Sequence, residues 1–422
     1  MEGGCLLSAP GQLPFISLAV ARLHHTRDNR AADNVLDTTN GRWENVNEDI
    51  RPVTGATAMR IGIIGLPATG KTTLFNLLCT AGGAHISHHG ANEPTVAVVK
   101  VPDPRLERLA ALIFKPKKVT HATMEFVDFV ALTRGAGKGE GLGSHYLAQM
   151  RQADALLHVL RDFEDPGIAH TEGKIDAARD AVLVNTELLL ADLDVVEKRM
   201  VRLEADLKKM KKDEAARELD LLKRCHAWLV EEKPIRELAL AEEEQKVLRG
   251  FTFLTAKPML LLLNIGEKML GKPHPTLDRL QRALGGKGVT AIQLCVKTEY
   301  EVAQLPPEDA EEFRKDLGLQ AGGFAEVLRA CFELLGLMTF YTGEGGEETR
   351  AWTIPAGSTA LKAAGAIHTD LERGFIRAEV VNFPDLQAAG SLAAAKKKGI
   401  LRVEGKEYRV ADGDVITVRF NV

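Results

Sequence analysis

The chain has 422 residues, 45% of them hydrophobic and 27% charged, with a net charge of −4. That length accommodates two or three domains, and the composition is ordinary for a water-soluble globular protein. The near-neutral balance excludes a polycation, so any nucleic-acid contact has to come from local basic patches.

The five cysteines, Cys5, Cys79, Cys225, Cys295 and Cys331, are scattered without a Cys-x-x-Cys pair. This spacing argues against a zinc site or a disulfide scaffold and fits a reducing, cytosolic setting. Near the N-terminus the apolar stretch "LPFISLAVA" is too short to span a bilayer and has no basic segment before it; no membrane partner is expected. Residues 1–58 lack periodicity and include the polar run "RDNRAADNVLDTTNGRWENVNED". They read either as a disordered extension dispensable for the core chemistry or as an upstream start assigned ahead of a natural beginning at Met59.

At Met59 the pattern changes. "MRIGIIGLPATGKTT" carries Gly65-x-x-x-x-Gly70-Lys71-Thr72, a complete phosphate-binding loop pattern, with an apolar strand over Ile61–Ile64 before it and a helix after it. Glycines let backbone N–H groups turn toward phosphate oxygens, and the helix N-terminus adds partial positive charge. The expected phosphate contacts are Pro67, Ala68, Thr69, Gly70, Lys71, Thr72 and Thr73. Lys71 is the catalytic candidate, reaching the β- and γ-phosphates, and Thr72 is a ligand for Mg²⁺. "HISHHG" (His85–Gly90) reads as a polar loop, because no Cys or carboxylate cluster accompanies its histidines.

"MEFVDF" gives a second strand, Met124–Val127, ending in Asp128, an acid placed to hold the same Mg²⁺. A Ras-like GTPase continues Asp-x-x-Gly-Gln, with the Gln orienting the attacking water. This chain continues with Ala131 and Leu132. Leu132 cannot orient water, so intrinsic hydrolysis is expected to be slow. A glycine-rich segment follows from Arg134 to Gly143.

Leu189, Leu193, Val196, Met200, Leu203, Leu207 and Met210 form a heptad seam. A turn over "KKMKKDEAA" then leads to a second helix carrying Leu219, Leu222, Cys225 and Leu229. The pair predicts an antiparallel hairpin, an arm over 166–249 with Lys208, Lys209, Lys211 and Lys212 at its tip. Next comes "LLLLNIGE", a buried strand delivering a polar loop. A GTPase reads guanine at this point with Asn-Lys-x-Asp. Asn264 is kept, but Ile265 replaces Lys and Glu267 replaces Asp. The longer Glu267 side chain displaces the carboxylate that guanine needs, which favours ATP over GTP. The expected base contacts are Asn264, Ile265, Gly266 and Glu267, with Cys295 and Val296 of "CVKTE" on a second loop. From Tyr341 the chain turns β-rich, ending in the turn and strand "VADGDVITVRF". Lys396–Lys398 form a basic patch, and His368 reads as a structural residue.

Long stretches of this chain resemble the YchF-type Obg-like ATPases: "GLPATGKTTLFN", "VPDPRLERL", "MEFVDF", "GAGKGEGLG", "ADLDVVEKR", "FTFLTAKP", "RAWTIPAGSTALKAAGAIHTDLERGFIRAEV" and "YRVADGDVITVRFNV". The likeness runs from about Met59 to Val422. It implies an α/β fold: a P-loop GTPase-like domain over 59–165 and 250–340, an inserted helical coiled-coil arm over 166–249, and a small ubiquitin-like TGS domain over 341–422. It also implies ATP hydrolysis and association with the ribosome, with the large subunit as the expected contact. TGS modules, and an arm with a basic tip, suggest RNA contact. The chain departs from the family pattern in places. Ala68-Thr69 stand for Asn-Val, whose Asn related GTPases link to potassium activation; Thr72 stands for Ser; Ala91 stands for the switch Thr; and Ala131 stands for Gly. The competing readings are a signalling GTPase of the Obg type and a small-molecule kinase. The kinase reading lacks an arginine-rich lid sequence.

Overall fold

The computed structural model describes residues 59–87, 94–129, 144–209, 213–317, 319, 322–344 and 346–421. The extension 1–58, the switch position Ala91, Ala131, Leu132, the segment Arg134–Gly143 and the arm-tip residues Met210, Lys211 and Lys212 lie outside the described residues.

The first sheet has seven strands in the order β2-β3-β5-β1-β6-β7-β8. They are β1 (Arg60–Ile64), β2 (His85–Ser87), β3 (Thr95–Lys100), β5 (Thr123–Asp128), β6 (Ala155–Asp162), β7 (Met259–Ile265) and β8 (Val289–Leu294); β4 belongs to the other sheet. β1, β5, β6, β7 and β8 are parallel neighbours, while β2 and β3 add an antiparallel edge. A parallel sheet covered on both faces needs continuous apolar strands. β7, "MLLLLNI", is buried at every position. His85 therefore sits in an edge strand paired to β3, where the sequence suggested a loop. Of the other two histidines of that segment, His88 and His89, nothing is described.

Helices cover both faces. On one, α1 (Lys71–Ala81) packs Leu74, Leu77 and Leu78 against Ile63, Leu157 and Leu260. On the other, α3 (Ser144–Met150) and the start of α4 (Ala177–Lys209) meet Leu156, Leu261, Leu263 and Ile265; the short α2 (Pro104–Arg108) precedes α3 in the chain. α4 then runs on past the sheet and pairs with α5 (Asp213–Val230). Leu189, Leu193, Val196 and Leu203 bury against Leu219, Leu222, Cys225 and Leu229, so the heptad seam is the contact between the two helices of the arm. The root of the arm is fastened by one carboxylate. Asp192, fully buried, accepts from Leu254 N at 3.0 Å, Thr255 N at 2.7 Å and Thr255 Oγ1 at 2.9 Å, and pairs with Arg151 at 2.9 Å.

The second sheet runs β12-β11-β13-β9-β10-β4. Its strands β9 (Leu337–Glu344), β10 (Glu348–Pro355), β11 (Phe375–Asn382), β12 (Arg402–Glu404) and β13 (Asp414–Phe420) come from the C-terminal part. The expected division at 340/341 therefore falls inside β9. The sixth strand, β4 (Lys118–Thr120), comes from the nucleotide domain and pairs in parallel with β10. Where the two parts meet, Leu106, Leu109 and Ala122 bury against Tyr341, Val381 and Val415. Asp103 caps α2 and also accepts from Arg105 and the Tyr341 hydroxyl, and Arg105 reaches on to Asp412. The C-terminal unit is thus sewn to the segment that leaves β3. His368 caps a short helical turn by accepting from Asp370 N, the structural role expected of it. No helix among the described residues is long and apolar enough to cross a membrane.

Candidate nucleotide site

The site lies at the C-terminal ends of the parallel strands, where an open α/β sheet places its ligands. β1 ends at Ile64 and the chain turns through Gly65 at φ 144°. A Cβ at Gly65 would stand 2.4 Å from the Val159 carbonyl oxygen, so the loop sits directly on β6. Gly70, at φ 97°, introduces α1, and a Cβ there would stand 2.4 Å from Asn264 Nδ2. The first bond of the helix runs from Leu74 N to Gly70 O at 2.9 Å. The N–H groups of Lys71, Thr72 and Thr73 therefore precede the intrahelical ladder and point from the positive end of the helix. Pro67 and Ala68 form the exposed crest of the loop, while Thr69 is buried and donates to Leu66 O at 3.1 Å. Ala68 holds φ 60°, a left-handed conformation that glycine or asparagine adopts more readily.

Lys71 is buried, and its ammonium donates to Gly65 O at 3.0 Å and to Leu66 O at 2.7 Å. Burial lowers its pKa to about 8, against the opposing pull of Asp128. The cation is thus folded back into its own loop and poorly solvated, a state that phosphate oxygens could relieve only by replacing the two carbonyls. Asp128 ends β5 in register with Ile63 of β1, which brings its carboxyl to the mouth of the loop. Burial raises its pKa and the charge of Lys71 draws it back. Thr72 is exposed on the first turn of α1. A hydroxyl and a carboxylate are the hard oxygen donors that suit a small divalent cation completing its shell with phosphate and water. His158, in register with Ile64, is fully buried. Burial and the neighbouring Lys71 push its pKa down to about 3, so it is neutral near pH 7.

Asn264 ties the two ends of the site together. It is buried at the end of β7, donates from Nδ2 to Thr69 O at 2.9 Å, and accepts at Oδ1 from Val296 N at 3.1 Å. One amide thus fixes the height of the phosphate loop and the position of the second base loop. Ile265 is 3% exposed and packs in the apolar cluster under α4. Its side chain belongs to the core, which leaves the base to its neighbours. Cys295 and Val296 are also buried by their side chains, so only their backbone is left to face a ligand. Gly266 and Glu267 lie on the rim. Glu267 pairs with Lys297 at 3.1 Å, and Phe163 stands beside Gly266 with the Arg161 guanidinium 4.7 Å over its ring. Lys297 and Phe163 were not singled out from the sequence. Each follows its strand or loop by one or two residues, and only the fold brings them to the rim.

The family model described as a 50S ribosome-binding GTPase matches residues 60–222, and the model for the YchF GTPase C-terminal domain, described as a protein of unknown function, matches residues 337–421. A protein of Bacillus subtilis (strain 168) named ribosome-binding ATPase YchF is 42% identical over 368 residues, covering 86% of this chain and 100% of its own. The protein of the same name from Escherichia coli O157:H7 is 42% identical over 364 residues, covering 86% of this chain and 99% of its own. The solved structure of the Schizosaccharomyces pombe YchF GTPase aligns with a TM-score of 0.76 at 29% identity, covering 87% of this chain and 100% of that one.

Proposed function

This chain belongs to the YchF family of ribosome-binding ATPases, and from that premise we propose that it is a slow, nucleotide-switched ATPase that acts on the ribosome and regulates translation or the stress response. A cytoplasmic location goes with that reading. The observation that carries it is the Asn264 stitch between the phosphate loop and a base loop in which Glu267 stands for the guanine-reading Asp. Lys71 exchanges the Gly65 and Leu66 carbonyls for β- and γ-phosphate oxygens, and the amides of residues 70–73 receive the remaining phosphate charge. Thr72 and Asp128 hold Mg²⁺, which neutralises the phosphate oxygens when bound. Asn264, the Gly266 backbone, Glu267 and the backbone of Cys295 and Val296 border the base, and they favour ATP with GTP weaker. Leu132 stands where a water-orienting Gln would, so intrinsic turnover stays on the order of that of an unassisted small GTPase.

The partner on this reading is the ribosome, through its large subunit, with the arm and the C-terminal unit as the RNA-facing elements. Lys208 is exposed near the end of α4, and Lys396–Lys398 close a short helix of the C-terminal unit. Sedimentation through a density gradient with a non-hydrolysable ATP analogue tests the partner. Co-migration with the 50S subunit that depends on the analogue supports the reading. Equal distribution with and without the analogue contradicts a nucleotide-switched ribosome contact.

A further inference from the structure

We propose that Lys297, through its ion pair with Glu267, is a specificity-determining residue that makes the base site read adenine and reject guanine. The proposal rests on the reading above that Asn264, the Gly266 backbone, Glu267 and the backbone of Cys295 and Val296 border the base.

The geometry begins with the Asn264 bond to Val296 N, which pulls the second loop against the first. Lys297 is the next residue, in the first turn of α8 (Val296–Val302), which follows α6 (Glu242–Arg249) and α7 (Pro275–Leu284) in the chain. From there its ammonium lies 3.1 Å from Glu267 Oε1, with Glu301 Oε1 at 3.9 Å behind it. Glu267 occupies the position at which a guanine-reading loop carries its carboxylate. Guanine requires both oxygens of that carboxylate, one for N1–H and one for the 2-amino group. With Lys297 on Oε1, part of the carboxylate's charge and one of its acceptor sites are committed, and the ammonium confronts the N1–H donor with another donor.

Adenine presents the opposite edge, a 6-amino donor beside a bare N1 acceptor. An ammonium held at that place donates to the bare N1 of adenine. Guanine places a donor at N1, so the same ammonium meets donor with donor. Discrimination of this kind comes from the mismatch as much as from the match. The Lys297 and Glu267 side chains are 69% and 59% exposed. An exposed pair contributes little to fold stability, so the fold survives its removal and the substitution reports on recognition.

The test is a competition titration of ATP and GTP, each with Mg²⁺, against a fluorescent ADP analogue on the full chain. Lys297→Ala is expected to move the ATP-to-GTP affinity ratio toward GTP by roughly fivefold or more, the scale of one lost charged contact. Lys297→Arg, which keeps the cation, is expected to hold the ratio. Glu267→Gln is expected to change the ratio as well. A ratio that changes with Glu267→Gln but not with Lys297→Ala overturns the role of Lys297 and leaves the base site in place. Neither substitution changing the ratio overturns both. Equal weakening of ATP and GTP by Lys297→Ala also overturns the proposal, since a general electrostatic effect does not discriminate bases.

Discussion

The two ends of the nucleotide site are built from different material. At the phosphate end the working groups are backbone amides, two glycines at positive φ and one buried lysine, all held by β1, β6 and α1. At the base end they are the exposed Glu267 and Lys297 side chains and the backbone of two loops, joined to the rest through a single asparagine. Backbone chemistry tolerates little variation, because any Cβ at Gly65 or Gly70 meets another group at 2.4 Å. Side-chain chemistry can be rewritten letter by letter. On the proposed reading the phosphate end sets how tightly a triphosphate binds, and the base end sets which one.

Lys71→Ala should break the phosphate end with the largest effect. ATP and GTP affinities should fall together by on the order of a hundredfold or more, since a desolvated cation is removed from the phosphates. Calorimetric titration reads this. Binding within tenfold of the unaltered protein would take the loop out of the mechanism. Asn264→Ala should uncouple the two ends. It leaves the Thr69 carbonyl and the Val296 N–H buried without their partner, at about 1–3 kcal/mol each. The unfolding midpoint should drop and both nucleotides should weaken in proportion. A change in the ATP-to-GTP ratio alone would mean that Asn264 reads the base rather than holding the loops.

A third prediction concerns the joint with the C-terminal unit, which lies on the segment leaving β3. Burial raises the Asp103 carboxyl, but hydrogen bonds from Arg105 and Tyr341 outweigh it and hold its pKa below the usual range. A depressed folded pKa contributes stability that is fully present above the unfolded value of about 4 and is lost as pH falls through the folded value. Acid should therefore loosen the pairing of β4 with β10, and Arg105→Ala should move that loss to higher pH. Hydrogen exchange of the β4 and β10 amides across pH 2–5 measures it, and an acid transition unmoved by Arg105→Ala contradicts it. The smallest effect is expected at Ala68. Its left-handed backbone suits glycine, so Ala68→Gly should stabilise the fold by about 0.5–1 kcal/mol in denaturant unfolding.

The sequence made the phosphate end legible because spacing alone dictates its geometry: Gly65, Gly70, Lys71 and Thr72 stand where the motif and its flanking strand and helix require. The base end was legible in position and less so in role. Asn264 reads as a base contact in a linear motif, yet its amide is committed to two backbone partners that lie 195 and 32 residues away in the chain. Ile265 invited a base-packing role. The alternation of β7 puts it with Leu261 and Leu263 on the face that packs under α4. That placement also changes how the base loop is best altered. A lysine at position 265 would be buried in apolar surroundings at high cost, so Glu267→Asp alone is the cleaner probe. The Lys297–Glu267 pair joins positions 30 residues apart, and β4 joins a sheet formed more than 200 residues later. Long-range pairings of this kind leave no local periodicity to read.

The most direct measurement is the equilibrium affinity of the purified chain for ATP and for GTP, each with Mg²⁺, by titration under identical conditions. A site whose guanine carboxylate is replaced and paired predicts the tighter binding for ATP. A tenfold or greater preference for GTP would contradict the account.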